Sequence, residues 1–172
     1  MYMARKLSAV RVAGLAILAW VLFGCSGGGA LDVGATPPDF TVTSPDSAAT
    51  KVSSAGLQGK VVLIDFWATW CGPCREALPH IASVWKQYKD KGLQVLAVSS
   101  EDATTVSSFQ SKEGIDVPMF LDPGQKMADA FGVTGFPTTL LIGKNGKVVY
   151  SVVGTGPGVE PEMDKAIAQA LL

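Results

Sequence analysis

Residues 61–79 read VVLIDFWATWCGPCREALP, and the order of residue types in that stretch decides the fold. Residues 61–67, VVLIDFW, form a β-branched and aromatic run broken only by Asp65. A strand of that composition has both faces covered, because a strand with one wet face would alternate apolar with polar residues. Beyond Cys74 the period changes: Leu78, Ile81, Val84, Trp85 and Tyr88 recur at helical spacing and stop before Gly92. Pro79 lies inside this helix and should kink it, since proline removes a backbone donor. A buried strand running into an amphipathic helix, with two cysteines at the junction, is the opening of a βα unit.

Working outward, residues 39–60 (DFTVTSPDSAATKVSSAGLQGK) alternate apolar and polar positions around turn formers and predict a short hairpin leading into the domain. LQVLAVS (93–99) predicts a second buried strand, and EDATTVSSFQSKEG (101–114), with its acidic start and terminal glycine, a helix. VPMFLD (117–122) predicts a short strand, and KMADAFG (126–132) a small helix after the turn DPGQ. TTLLI (138–142) and VVYSVV (148–153) are strands flanking the turn GKNGK, and a closing helix falls near EPEMDKAIAQALL (160–172). Strands separated by helices, then a hairpin and a helix, argue for an α/β three-layer sandwich with a mixed central sheet. The balance of 14 Lys and Arg against 15 Asp and Glu leaves no basic footprint for nucleic acid.

The cysteines at the junction carry the chemistry. Three apart on a first helical turn, Cys71 and Cys74 lie on nearly one face, so their sulfurs can close a disulfide with little backbone movement. The helix N-terminus favours a Cys71 thiolate by about 0.3 to 2 kcal/mol, roughly one pKa unit at the middle of that range. Two other readings compete with a redox pair. A zinc site needs four ligands, and His80, the single histidine of the chain, lies about 120° around the helix axis from Cys74. A static structural disulfide would close so small a ring that it stabilises little. Asp65 is the odd residue of its strand: a carboxylate there either reaches water at the strand end or is buried, and burial would raise its pKa and suit it to accept and return a proton. Trp67 reads as core and Trp70 as a rim beside the cysteines.

DFWATWCGPC, Pro79 five residues after Cys74, and GVTGFPT (132–138) resemble the thioredoxin family over about residues 61–172. The lead-in PPDFTVTSPD and an inserted helix plus strand between Ser99 and Asp122 make the chain similar to the membrane-tethered TlpA/ResA-like branch. That resemblance implies a thiol-disulfide oxidoreductase working outside the cytoplasm on disulfide-containing proteins, with a redox-active disulfide in place of a cofactor and a membrane thiol as electron donor. It implies Cys71 as attacking thiol, Cys74 as resolving thiol, Asp65 as the buried acid beneath it, and Pro137 as a cis-proline. Around them Trp70, Gly72, Pro73 and Phe136 would bind substrate. Reductases of this branch, including those acting on apocytochrome c, often carry a glutamate three residues after the second cysteine; here that position is Ala77, with Glu76 one earlier. Thioredoxins also tend to keep a lysine on the neighbouring strand near the buried acid, and LQVLAVS has none. A peroxiredoxin-like peroxidase would require Pro and Thr seven and three residues before the cysteine, where this chain has Ile64 and Ala68. A tethered copper-binding chaperone using both thiols is the non-enzymatic alternative, and comparable copper affinity of the wild type and Cys71→Ser would argue against it.

The beginning of the chain gives a separate expectation. Arg5, Lys6 and Arg11 precede the apolar run VAGLAILAWVLF. That run is shorter than the roughly 20 residues a membrane helix needs, as in a secretory signal over residues 1–24. LFGC (22–25) resembles a bacterial lipobox, which would make Cys25 a lipid attachment site and occupy the otherwise unpaired third cysteine. SGGGALDVGATPP then reads as a flexible tether over 25–38 spanning roughly 20 Å, and 39–172 as the domain. Cys25→Ser should release the domain from membranes, and mass spectrometry of the wild type should find an acylated Cys25 at the mature N-terminus; any other N-terminus removes the anchor.

Overall fold

A computed structural model describes residues 30–46 and 49–172. The expected signal and Cys25 lie outside the described residues, and so does the start of the expected tether. Among the described residues seven strands, β1 (Thr41–Thr43), β2 (Lys51–Ser53), β3 (Val61–Phe66), β4 (Leu93–Ser99), β5 (Met119–Leu121), β6 (Thr138–Ile142) and β7 (Val148–Val153), form one sheet in the order β2-β1-β5-β4-β3-β6-β7. The pairs β3·β4 and β4·β5 are parallel, while β3·β6, β6·β7, β1·β2 and β1·β5 are antiparallel. The sheet is mixed, as the alternation of strands and helices requires.

Among the described residues four helices complete the layers: α1 (Gly72–Tyr88), α2 (Ala103–Glu113), α3 (Lys126–Ala130) and α4 (Val159–Leu171). Side chains of β3 alternate between two cores. Val61 and Leu63 join Leu78, Ile81 and Val84 of α1, Val106 of α2 and Met163 and Ile167 of α4 on one face. Val62, Ile64 and Phe66 join Met127 and Ala128 of α3 and Phe131 on the other. Period-two alternation in a strand buried on both sides explains an apolar run broken only by Asp65.

Helix boundaries follow local chemistry. The Asp102 carboxylate accepts from the Thr105 N–H at 2.9 Å and from its hydroxyl at 2.7 Å, capping α2. Gly114 ends that helix at φ +65°, the left-handed conformation that glycine adopts without penalty. Buried Asp122 receives the N–H groups of Met127 and Ala128 at 3.0 and 2.9 Å and so starts α3. Helix α1 runs from Gly72 to Tyr88 across Pro79 as one element; the single lost donor does not end it.

One boundary differs from the sequence expectation. From Ala30 onward the chain packs on the domain, so the tether does not extend to residue 38. Ala30 is buried, Leu31 N–H donates to Phe131 O at 3.0 Å, and Gly34 N–H donates to Val148 O at 2.8 Å. Val148 N–H returns a bond to Ala35 O at 2.9 Å. The Gly and Pro content of this stretch reflects a turn and close backbone contact, with Gly34 at φ +92°.

Candidate active site

Strand β3 delivers the chain to the cysteines through a short, fully pinned connection. Trp67 N–H continues the ladder to Val98 O at 3.0 Å, and its ring is buried 5.1 Å from that of Phe109 in α2. Cys71 N–H then closes a turn onto Ala68 O at 3.1 Å, and Cys71 becomes the N-cap of α1, its sulfur accepting from Cys74 N–H at 3.2 Å. Thr69, at the corner of that turn, donates through both its N–H and its hydroxyl to the two carboxylate oxygens of Glu101, each at 2.7 Å. Glu101 is held in turn by the Ser99 hydroxyl at 3.1 Å.

Cys71 and Cys74 are joined as a disulfide with Cα atoms 5.3 Å apart. Their exposure differs: Cys71 retains 6 % and Cys74 none. Of the two cysteines only Cys71 presents any surface to an incoming group. Gly72 and Pro73 are exposed between them. Trp70 stands 72 % exposed with its ring 6.0 Å from that of half-buried Phe136, and the Phe136–Pro137 peptide is cis. The loop carrying Pro137 is tied to the sheet edge, where Pro137 O accepts from Gly154 N–H at 2.7 Å.

Asp65 is completely buried and does not reach water at a strand end. It alternates with Leu63 and Trp67, so it faces the same side of the sheet as α1 and Cys74. Its Oδ1 accepts from the Thr139 hydroxyl at 2.8 Å across the β3·β6 pair, while Oδ2 has no partner among the described residues. Burial pushes this carboxyl from its ordinary 3.8 up to about 7, with the Thr139 hydrogen bond opposing the rise. The β4 residue directly opposite Asp65 is Ala97, so no lysine shares its position in the register.

The remaining polar residues near α1 are arranged differently. His80 turns toward α4, with Nε2 3.0 Å from Asp164 and Nδ1 3.7 Å from Glu160. Glu76 is exposed and Ala77 half-buried, both lining a groove of about 230 Å³ shared with Thr155 and Gly156. Among the described residues no group of three or more His, Cys, Asp or Glu is placed to hold a metal. Two contacts of the site escape a reading by motif: Glu101 with Thr69, and Thr139 with Asp65. The only sequence signal for the second is a threonine in a strand otherwise ready for aliphatic residues.

The folded state keeps the Asp65 proton up to about pH 7, whereas an unfolded chain releases it near 3.8. The folded state therefore binds more protons between those values, and this group's contribution to stability is fully present below about pH 4 and lost as pH rises through about 7. Asp65→Asn should flatten that slope and raise stability at about pH 8 by roughly 2 to 4 kcal/mol. Urea unfolding of the oxidised wild type and variant from about pH 4 to 8 checks this; parallel slopes would place the titration elsewhere.

Comparison with known proteins gives the same assignment as the geometry. The redoxin family matches residues 32–167. The chain is 36 % identical over 123 residues to the thiol-disulfide oxidoreductase ResA of Bacillus subtilis (strain 168), covering 71 % of this chain and 68 % of that protein. It is 35 % identical over 127 residues to the ResA of Geobacillus thermodenitrificans (strain NG80-2), covering 73 % and 72 %. The crystal structure of a thiol:disulfide interchange protein of the thioredoxin family from Chlorobium tepidum TLS superposes with a TM-score of 0.69 at 28 % identity, covering 83 % of this chain and 100 % of that one. A C-G-P-C disulfide at a helix N-terminus, in a chain so related, leaves one conclusion: this chain belongs to the redoxin family of the thioredoxin superfamily, as a ResA-like thiol-disulfide oxidoreductase.

Proposed function

We propose that the protein reduces disulfides of other proteins outside the cytoplasm. The observation that carries the reading is the pairing of one reachable sulfur, Cys71, with one sealed sulfur, Cys74, on the sheet face that holds the buried acid Asp65. In the dithiol form the Cys71 thiolate attacks a substrate disulfide; a Cys71–substrate bond forms and the first substrate sulfur leaves. Cys74 passes its proton to Asp65 and attacks the Cys71 sulfur. The second substrate thiol departs, the substrate has gained two electrons, and the Cys71–Cys74 disulfide is restored for recharging by a membrane thiol donor. Exposed Trp70, half-buried Phe136 and the backbone beside Pro137 offer an apolar ledge and strand-like hydrogen bonds to an extended substrate segment. Gly72 and Pro73 leave the approach to Cys71 open.

Direction follows from how weakly the thiolate is assisted. Neither residue between the cysteines is charged. The Cys71 sulfur accepts from the N-terminal turn of α1, so the reduced form gains only moderate stabilisation and the disulfide is favoured. Export and anchoring belong to the same reading. A lipid on Cys25 would leave only residues 26–29 before the packed segment that starts at Ala30, which keeps the domain close to the membrane. Disulfides of apocytochrome c are one substrate class consistent with this placement, although Ala77 stands where such reductases often have glutamate.

Two outcomes test the proposal. Cys74→Ser should accumulate mixed disulfides through Cys71, while Cys71→Ser should trap little; equal trapping by both would reverse the assigned roles. In a glutathione buffer poised near about −200 mV the wild-type domain should be mostly disulfide, since a couple about 60 mV lower is about 99 % oxidised. A domain that stays dithiol there is an oxidant.

A further inference from the structure

Helix α2 and the segment that leads into it from β4 contact the chain on both sides of the cysteine pair. On the far side, Arg75, directly after Cys74, lies 5.8 Å over the Phe109 ring and 3.4 Å from Glu113. On the near side, Glu101 takes both donors of Thr69, two residues before Cys71. These two short bonds to a carboxylate belong to the stronger class of hydrogen bond. Glu101 is itself braced, because its Oε2 also accepts from the Ser99 hydroxyl while its own N–H donates back to that hydroxyl at 3.2 Å.

Besides Glu101, the connection from β3 to α1 is fixed by the Trp67 N–H bond to Val98 O and the Cys71 N–H bond to Ala68 O. Trp67 is anchored to β4 upstream, but Trp70, immediately before Cys71, is 72 % exposed and contributes little burial. While the disulfide is closed, the covalent bond holds Cys71 against the helix. Once it opens, the Cys71 sulfur stays on the Cys74 N–H only if the turn from Ala68 to Cys71 keeps its shape, and Thr69 is the corner of that turn.

We propose that Glu101 is a positioning residue for the exchange reaction, holding the Ala68–Cys71 turn through Thr69 so that the Cys71 sulfur remains on the α1 N-terminus in the dithiol state. The inference rests on Cys71 being the attacking thiol. It concerns the reduced enzyme above all, because there the turn replaces a covalent restraint. Loss of Glu101 lets the thiol leave the helix N–H, which removes stabilisation from its thiolate and misaligns the nucleophile.

The test compares wild type, Glu101→Ala, Glu101→Gln and Thr69→Val. Two quantities are read: the rate of insulin disulfide reduction by the dithiothreitol-recharged protein, and the pH profile of Cys71 alkylation by iodoacetamide, with buried Cys74 protected. Glu101→Ala should lose about tenfold in rate and raise the Cys71 thiol pKa, the scale of one or two hydrogen bonds. Thr69→Val keeps the backbone donor and should lose about threefold. Glu101→Gln still accepts from the Thr69 N–H and can donate to its hydroxyl oxygen, so it should stay within about threefold of wild type. Wild-type rate and pKa in Glu101→Ala would overturn the proposal, and so would a Glu101→Gln as impaired as Glu101→Ala, because charge and not placement would then be at work. If Glu101→Ala does not fold, Thr69→Val decides, and wild-type behaviour there overturns it equally. A wild-type protein that leaves insulin disulfides intact would instead sink the reductase reading.

Discussion

Strand β3 is paired along both edges, by β4 and β6, and covered on both faces, so a carboxylate at its fifth position has no route to water. That enclosure fixes the proton chemistry of Asp65, since nothing charged lies opposite it in the register and only the Thr139 hydroxyl answers it. It also fixes the nucleophile, because the same strand ends at Phe66 and passes through an anchored Trp67 into the turn that sets Cys71 at the head of α1. Acid, turn and helix N-terminus thus share one rigid support. A change in β3 packing would move all three together.

The sequence was most legible where burial is one-sided or complete. Residues 61–67 and 93–99 announce strands because they are almost wholly apolar, with Asp65, Gln94 and the terminal Ser99 as the exceptions, and residues 103–113 announce a helix through Asp102 and Gly114 at its ends. Cys71 and Cys74 were legible because spacing and helix position suffice to bring two sulfurs together. Glu101 was not: its role depends on β4 lying beside β3, a pairing between residues 32 apart in the chain. Periodicity reports which face of an element is apolar; it carries no record of which loop a carboxylate will reach. Residues 30–38 misled for a related reason, since glycine and proline mark a turn as readily as a tether.

The departures from related reductases are also packing facts. Ala77 places a methyl where a carboxylate would sit in the groove beside α1, and Glu76 and Glu160 instead supply its acidic character from exposed positions. His80 is absorbed into a contact with α4 and so takes no part at the sulfurs. Ala97, opposite Asp65, keeps the acid free of a cationic neighbour. The buried acid therefore relies on enclosure and one hydroxyl hydrogen bond.

That reliance shows in how the acid meets dissolved salt. An ion pair between wet groups weakens as the Debye length shrinks, from about 30 Å at 0.01 M to about 8 Å at 0.15 M. The proton affinity of Asp65 is raised by desolvation and trimmed by a hydroxyl, with no ion pair among its causes, and mobile ions do not reach a completely buried carboxyl. No ion pair that salt could screen is thus among the causes of its shift. The same proton acceptor is therefore available in dilute and in concentrated salt.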